Sequence, residues 1–340
     1  MTVPNEKGMR AAIEASEATR GVTSPNPPVG AAIVSTGGEI VGIGATQPPG
    51  GPHAEVMALR AAGERASGGT AYVTLEPCSH YGRTPPCTQA LLAAGIKRVF
   101  YAVADPNPRA AGGADVLRAA GVEVEGGLLG EDVERGPLRA WLHYARTGRP
   151  HVTWKYAASL DGRVAAEDGT SRWISSPMSR AEVHDIRRRV DAIVAGTGTV
   201  TTDDPQLTAR EDDGTLSVRQ PLRVVVGMSE IDPAARVLDD AAETLHVRSH
   251  DPDEVVAALA GRGVVDVLLE GGPRLAGAFL KAHRVDRVLV YVAPILLGAG
   301  PAALLDAGVN TVTQALPFAI EDVTMSGPDV RISAVPVKTE

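Results

Sequence analysis

Apolar residues return along this chain in two alternating rhythms: short unbroken runs, and longer stretches with a helical repeat. Asn5 to Arg20 places Met9, Ala12 and Ile13 on one helical face. PVGAAIVSTGGEIVGIGA reads as two short strands around a turn at Gly37 and Gly38. The Ala-rich stretch from Ala54 to Ala66 predicts a helix closed by Ser67, Gly68 and Gly69. A strand over TAYVTLE, a helix from Pro86 to Ala94 and a strand over RVFYAVA follow. Next come a shorter helix near Asp115 to Ala120, a strand over VEVEGGLL and one helix from Glu131 to Arg146. This rhythm predicts helices packed on a mixed sheet.

The polar stretch ARTGRPHVT, with Gly148 and Pro150 breaking the helix, marks a domain boundary. The α/β rhythm then restarts: strand HVTWKYAAS, helix Ser176 to Arg189, strands DAIVAG and LRVVVG, helix Pro252 to Ala260, strand VVDVLLE, helix Pro273 to Lys281 and strand RVLVYVAPIL. The tail FAIEDVTMSGPDVRISAVPV ends in one or two strands. Two α/β domains are expected, over residues 1–147 and 150–340. The halves share no repeat and carry different motifs, which implies two different sites.

Composition narrows the partners. A net charge of −8 does not suit a protein whose main partner is a long nucleic acid. Aromatic residues are only 4% of the chain, so aliphatic packing must build the cores. MTVPNEKGMRAAIEASEATR lacks the basic-then-apolar pattern of a signal peptide, and no apolar run is long enough to span a bilayer. The expected compartment is therefore the reducing cytoplasm, where a close cysteine pair is better read as metal-binding or catalytic than as a disulfide.

That pair, Cys78 and Cys87, lies in TLEPCSHYGRTPPC. His53 and Glu55, in GPHAEVMAL, open a predicted helix; Cys78 follows a strand and a proline; Cys87 opens the next helix. One imidazole and two thiolates suit zinc and leave its fourth position for a water, which zinc acidifies. A carboxylate two residues from the histidine can carry the proton to a leaving amine. H-x-E with P-C-x-x-C is the signature of zinc nucleobase deaminases, but here eight residues separate the cysteines. A nucleic-acid-editing deaminase would need a basic groove and base-stacking aromatics. A zinc-stabilised binding protein would not need Glu55.

The combination SPNPPVGAAIV, GPHAEVMALRAAG, EPCSHYGRTPPC and VADPNP resembles the deaminase half of the bifunctional riboflavin-biosynthesis deaminase/reductase. The resemblance implies a cytidine-deaminase-like three-layer domain with one zinc on His53, Cys78 and Cys87, and Glu55 moving protons. It implies that Asn26 contacts the pyrimidine and that His80 and Arg83 hold the substrate, Arg83 as a phosphate partner. Two positions depart from the family pattern. Arg83 stands where many members have lysine, and Thr46 where many have a substrate-binding histidine.

In the second half no G-x-G-x-x-G follows a strand, so the ordinary Rossmann fingerprint is absent. AIVAGTGTVTTDDPQLTAR reads as a strand and a hydroxyl-rich turn. VVDVLLEGGPRLAGAFL reads as a strand, a Gly-Gly turn and a helix whose N-terminus can receive a phosphate. With KYAASLDGRVA, TSRWIS and HDIRRRVDAI, these segments resemble the reductase half of the same family, a dihydrofolate-reductase-like fold. The resemblance implies NADPH at Ala157, Trp173, Thr199, Asp203 and the turn of Gly272, Pro273, Arg274, Leu275, Ala276, Gly277 and Ala278. It places substrate at Ser171, Arg187, Leu207, Arg210 and Glu270, with Lys155 in the same pocket. Arg187 and Arg210 can each hold a phosphate bidentately.

The expected chemistry is hydrolytic deamination of 2,5-diamino-6-ribosylamino-4(3H)-pyrimidinone 5′-phosphate, then reduction of its ribosyl side chain to ribityl. The expected partners are small phosphorylated pyrimidines, with no nucleic acid and no membrane. The resemblance implies a homo-oligomer, dimer or higher.

Overall fold

The computed structural model describes residues 6–81, 85–108 and 110–337. The chain divides into two compact units, residues 1–149 and 150–340.

The first unit begins with helix α1 (Glu6–Ala18), strands β1 (Gly30–Val34) and β2 (Ile40–Ala45) and helix α2 (Ala54–Ala62). Strand β3 (Thr70–Leu75), helix α3 (Cys87–Ala93) and strand β4 (Arg98–Val103) follow. The unit ends with α4 (Gly113–Ala119), β5 (Glu123–Gly126), α5 (Gly130–Arg135) and α6 (Arg139–Thr147). Its sheet runs β2-β1-β3-β4-β5. β1 pairs antiparallel with β2 and β3, and β4 pairs parallel with β3 and β5. Every residue of β1 and β3 is buried, as for strands covered on both faces. Helix α2 packs backbone to backbone on β2. A Cβ at Gly42 would lie 2.2 Å from the Ala58 carbonyl oxygen, and one at Gly44 2.3 Å from the Ala58 nitrogen.

The single helix expected from Glu131 to Arg146 is two helices, α5 and α6. Pro137 has no N–H to donate and its ring crowds the preceding turn, so the chain breaks there after Gly136.

The second unit opens with β6 (His151–Ser159), α7 (Pro177–Arg189), β7 (Ala192–Gly196) and α8 (Thr197–Asp203). Then come β8 (Leu222–Val226), β9 (Thr244–Val247), α9 (Pro252–Ala260), β10 (Asp266–Leu269) and α10 (Pro273–Lys281). Strands β11 (Arg287–Ala293), β12 (Phe318–Ser326) and β13 (Asp329–Pro336) complete it. The eight-stranded sheet runs β12-β13-β11-β6-β10-β7-β8-β9. The strands from β11 to β9 are parallel and the β12–β13 hairpin is antiparallel. Alternate residues feed two cores. Ala192, Val194 and Leu269 join Val224 and Phe279 on one face, while Ile193, Ala195 and Leu268 join Val225 and Val237 on the other.

The stretch expected as a hydroxyl-rich turn after β7 is the helix α8, and β9 has no counterpart among the expected strands. Four threonines and a glycine give α8 poor intrinsic propensity. Its place at the end of a buried strand overrides that preference. No helix among the described residues is long and apolar enough to cross a membrane.

Candidate active sites

In the first unit, three elements deliver three ligand atoms to one point. His53 is the residue preceding α2, in extended backbone conformation. Cys78 lies just past β3, and Cys87 opens α3. His53 Nδ1 is 3.2 Å from Cys87 Sγ and 3.6 Å from Cys78 Sγ, and the Cys87 amide donates to Cys78 Sγ at 3.4 Å. Ordinary Zn–S and Zn–N bond lengths in a tetrahedron place neighbouring S and N atoms about 3.6 Å apart, so the donor set and its size fit zinc. Both cysteines are free thiols and buried. Hydrogen bonding between them holds Cys78 down at about 4 and pushes Cys87 up. Glu55, on the first turn of α2, is 4% exposed; burial, with the charge on Cys78, raises its carboxyl to about 7.

The remaining sequence-derived positions of this unit divide. Asn26 is exposed in the turn leading to β1, its amide bonded to the Thr23 carbonyl at 2.8 Å. His80 is exposed on the segment between the cysteines, and its charge acts on Asp105. Arg83 lies outside the described residues. Thr46 is buried, its hydroxyl accepting from the Val29 amide at 3.2 Å and its carbonyl accepting from the Thr19 hydroxyl at 2.9 Å. It closes the end of the β1–β2 pair.

Glu76 escaped the sequence reading, although it stands within the quoted EPC. It is 8% exposed and accepts from the backbone amides of Gly112, Ala114 and Asp105 at 3.1, 3.0 and 3.4 Å. The VADPNP loop is thereby tied to the loop that carries Cys78.

In the second unit, parallel register sets the site. Leu269 pairs with Trp154, so Glu270 emerges beside Lys155. Arg187, on the last turn of α7, grips Glu270 with two bonds of 2.8 and 2.7 Å, and Lys155 Nζ lies 3.9 Å from the same carboxylate. Burial would raise the Glu270 carboxyl. The Arg187 and Lys155 charges outweigh it and hold Glu270 at about 2. Burial lowers Lys155, with Glu270 opposing. Arg187 also donates to the Thr208 carbonyl at 3.0 Å. Leu207 beside it is buried with φ 53°, a left-handed conformation rare for a branched residue.

Arg210 donates to the Gly214 carbonyl at 2.6 Å and to Gln206 Oε1 at 2.5 Å. Thr199 Oγ1 accepts from the Gly272 amide at 3.2 Å, joining α8 to the N-terminus of α10. No side chain caps that N-terminus, where Gly272 is followed by Pro273 and exposed Arg274. Leu275 packs against Gly271, and Ala276 and Gly277 are buried. Trp173 is 68% exposed with the Arg180 guanidinium 4.5 Å over its ring, and Arg172 donates to the Asp203 carbonyl. Ala157 faces Tyr291 across β6–β11, and Ser171 is half-buried.

The sequence reading missed His184, Gln206, Arg223 and Asp239. Burial, with the charge of Arg187, lowers His184 to about 4. Arg223 carried a usable signal, because a charge inside the apolar run LRVVVG must find a buried partner.

Residues 3–103 match the family model described as the cytidine and deoxycytidylate deaminase zinc-binding region, and residues 150–331 match the RibD C-terminal domain. The chain is 56% identical over 330 residues to the riboflavin biosynthesis protein RibD of Mycobacterium tuberculosis (strain H37Rv), covering 97% of each. It is 40% identical to the protein of that name from Escherichia coli (strain K12), over 97% of this chain and 99% of that one. Among solved structures it resembles the diaminohydroxyphosphoribosylaminopyrimidine deaminase/5-amino-6-(5-phosphoribosylamino)uracil reductase of Thermotoga maritima. That match has a TM-score of 0.87 and 33% identity and covers 98% of both chains.

Proposed function

The chain belongs to the family of riboflavin biosynthesis protein RibD, the bifunctional deaminase/reductases, and from that premise we propose the roles of its two sites. The first unit hydrolyses the amino group from 2,5-diamino-6-ribosylamino-4(3H)-pyrimidinone 5′-phosphate. The second reduces the ribosyl side chain of 5-amino-6-(5-phosphoribosylamino)uracil to ribityl with NADPH. The observation that carries the reading is the buried carboxylate of Glu55 beside a His53–Cys78–Cys87 triangle of zinc dimensions.

His53, Cys78 and Cys87 hold the zinc, which when bound supplies a Lewis acid that acidifies water. Glu55 takes the proton and delivers it to the departing amine. It is the only carboxylate of the first turn of α2, and burial keeps it near the neutral range. Asn26, His80 and Arg83 position the pyrimidine and its phosphate. The Thr46 hydroxyl is committed to the Val29 backbone, so the pyrimidine is held by those three residues without it.

In the second unit NADPH, when bound, supplies the reducing equivalents. Ala157, Trp173, Thr199, Asp203 and residues 272–278 form its bed. Ser171, Leu207, Glu270, Lys155, Arg187 and Arg210 receive the substrate. Lys155 and Arg187 act on the carboxylate of Glu270, and Arg187 and Arg210 both act on His184 beside it, an excess of positive charge among the described residues suited to a phosphate dianion.

Glu55→Gln tests the deaminase: zinc content stays unchanged while ammonia release falls roughly 10²-fold or more. Reduction of the deaminated pyrimidine continues in that variant. Wild-type ammonia release from it would sink the assignment.

The enzyme is read as a cytoplasmic homo-oligomer. Exposed Ile320, Val323 and Met325 on edge strand β12 support self-association. A monomer at micromolar concentration in sedimentation would overturn that reading.

A further inference from the structure

A charge fully removed from water sits on β8, and a chain of bonds leads from it to the reductase pocket. The Arg223 side chain is 0% exposed. Its Nη1 donates to Asp239 Oδ1 at 2.6 Å and to the Gln206 carbonyl at 3.4 Å, while Nη2 donates to the carbonyls of Asp239 and Ala242. The other Asp239 oxygen accepts from Gln206 Nε2 at 2.7 Å. An amide whose nitrogen is turned to a carboxylate must turn its oxygen away, and that oxygen accepts from Arg210 Nη2.

Arg210 differs from its neighbours. Arg187, Arg188, Arg219 and Arg223 each pair with a carboxylate. Among the described residues Arg210 pairs with none, and both of its acceptors are neutral. The nearest acid in sequence, Glu211, is engaged by Arg188 and by the Ser217 hydroxyl. Among the described residues two of its five guanidinium N–H groups are spent on protein, and three remain. The backbone beneath is pinned at four carbonyls: Gln206 by Arg223, Thr208 by Arg187, Ala209 by Gln220 and Arg210 by Arg188. The side-chain torsions of Arg210 are the freedom that remains; the Gly214 carbonyl holds one terminal nitrogen and Gln206, the only side chain among the described residues to do so, holds the other.

We infer that Gln206, oriented by the buried Arg223–Asp239 pair, is the positioning residue that holds Arg210 uncompensated and aimed for the substrate phosphate. This rests on the reading of Arg210 as a phosphate ligand. A carboxylate in place of Gln206 would neutralise the guanidinium and repel Asp239. A neutral amide fixes direction and leaves the charge available.

A double-mutant cycle on the full-length protein tests it, with Gln206→Ala, Arg210→Ala and the double variant, and with Gln206→Glu as a second, isosteric probe. Expected for Gln206→Ala is a reductase KM for the phosphorylated pyrimidine raised roughly tenfold, with kcat changed less than about twofold. Competitive inhibition by inorganic phosphate weakens in proportion, and the KM for NADPH and the deaminase rate stay as in wild type. Gln206→Glu raises KM further. The double variant matches Arg210→Ala alone, because Gln206 acts through Arg210. If Gln206→Ala is unstable, Gln206→Glu alone carries the comparison of KM with kcat. Additive effects in the double variant, or equal loss of kcat and NADPH affinity, would give Gln206 a merely structural part and overturn the inference. An unchanged KM in Arg210→Ala would instead remove the reading of Arg210 on which it stands.

Discussion

Glu270 shows how one residue's ionisation is tied to the stability of its unit. It is largely but not fully buried, yet its carboxyl is held at about 2 against an ordinary 4.5, because Arg187 and Lys155 favour the anion more than desolvation opposes it. A carboxyl lowered on folding contributes fully above its unfolded value and loses that contribution as pH falls through the folded one. The window here runs from about 4.5 down to about 2, and the shift corresponds to something on the order of 3 kcal/mol. Glu270→Gln is expected to lower the urea midpoint clearly at pH 7, where it leaves two half-buried cations without their carboxylate. The gap to wild type should narrow between those two pH values, and a gap independent of pH would contradict the account. At this scale the sequence was readable where a residue type has few uses. His53, Glu55, Cys78 and Cys87 converge as expected. Gln206 and Asp239 were not legible, because a glutamine and an aspartate 33 positions apart in polar segments carry no periodicity or motif.

At the scale of elements, the long apolar strands and the helices opened by proline were the most legible. The helices Pro252–Ala260 and Pro273–Lys281 have the expected bounds, each with proline at its first position. Errors fell where tertiary context overrides local preference, in threonine-rich α8 and the four-residue β9, and where a local breaker was passed over, at Gly136–Pro137. Packing between elements yields a prediction of its own. Because β2 and α2 meet backbone to backbone, Gly44→Ala must push α2 outward, at a cost of about 1–3 kcal/mol. His53 and Glu55 ride on the start of that helix, so the variant should lose zinc affinity as well as stability. Zinc per chain and the urea midpoint, measured together, check this. A variant with normal values of both would mean that the helix can shift without disturbing its N-terminus.

For the whole molecule, two units each enclose their own sheet and their own candidate site. Cys87→Ser should therefore abolish bound zinc and ammonia release while leaving the reductase kcat and KM within about twofold of wild type. Elemental analysis and two separate rate assays decide it. A reductase that fails together with the zinc would mean that one unit's fold depends on the other's metal. The two-domain plan was visible in the polar break near Gly148 and in the restart of the α/β rhythm after it. The order of strands within each sheet was not, since periodicity says that a strand is buried but not which neighbour buries it.

The glycines of β2 have a consequence for how this protein tolerates change. In a saturation library selected for deamination, Gly42 and Gly44 should fall silent with nearly every replacement, as Glu55 does. An observer with activity data alone would count all three as parts of the chemistry. The two kinds separate once abundance is scored beside activity. Glu55→Gln should persist as a full complement of inert, metal-loaded protein, and the glycine variants should disappear from the soluble pool.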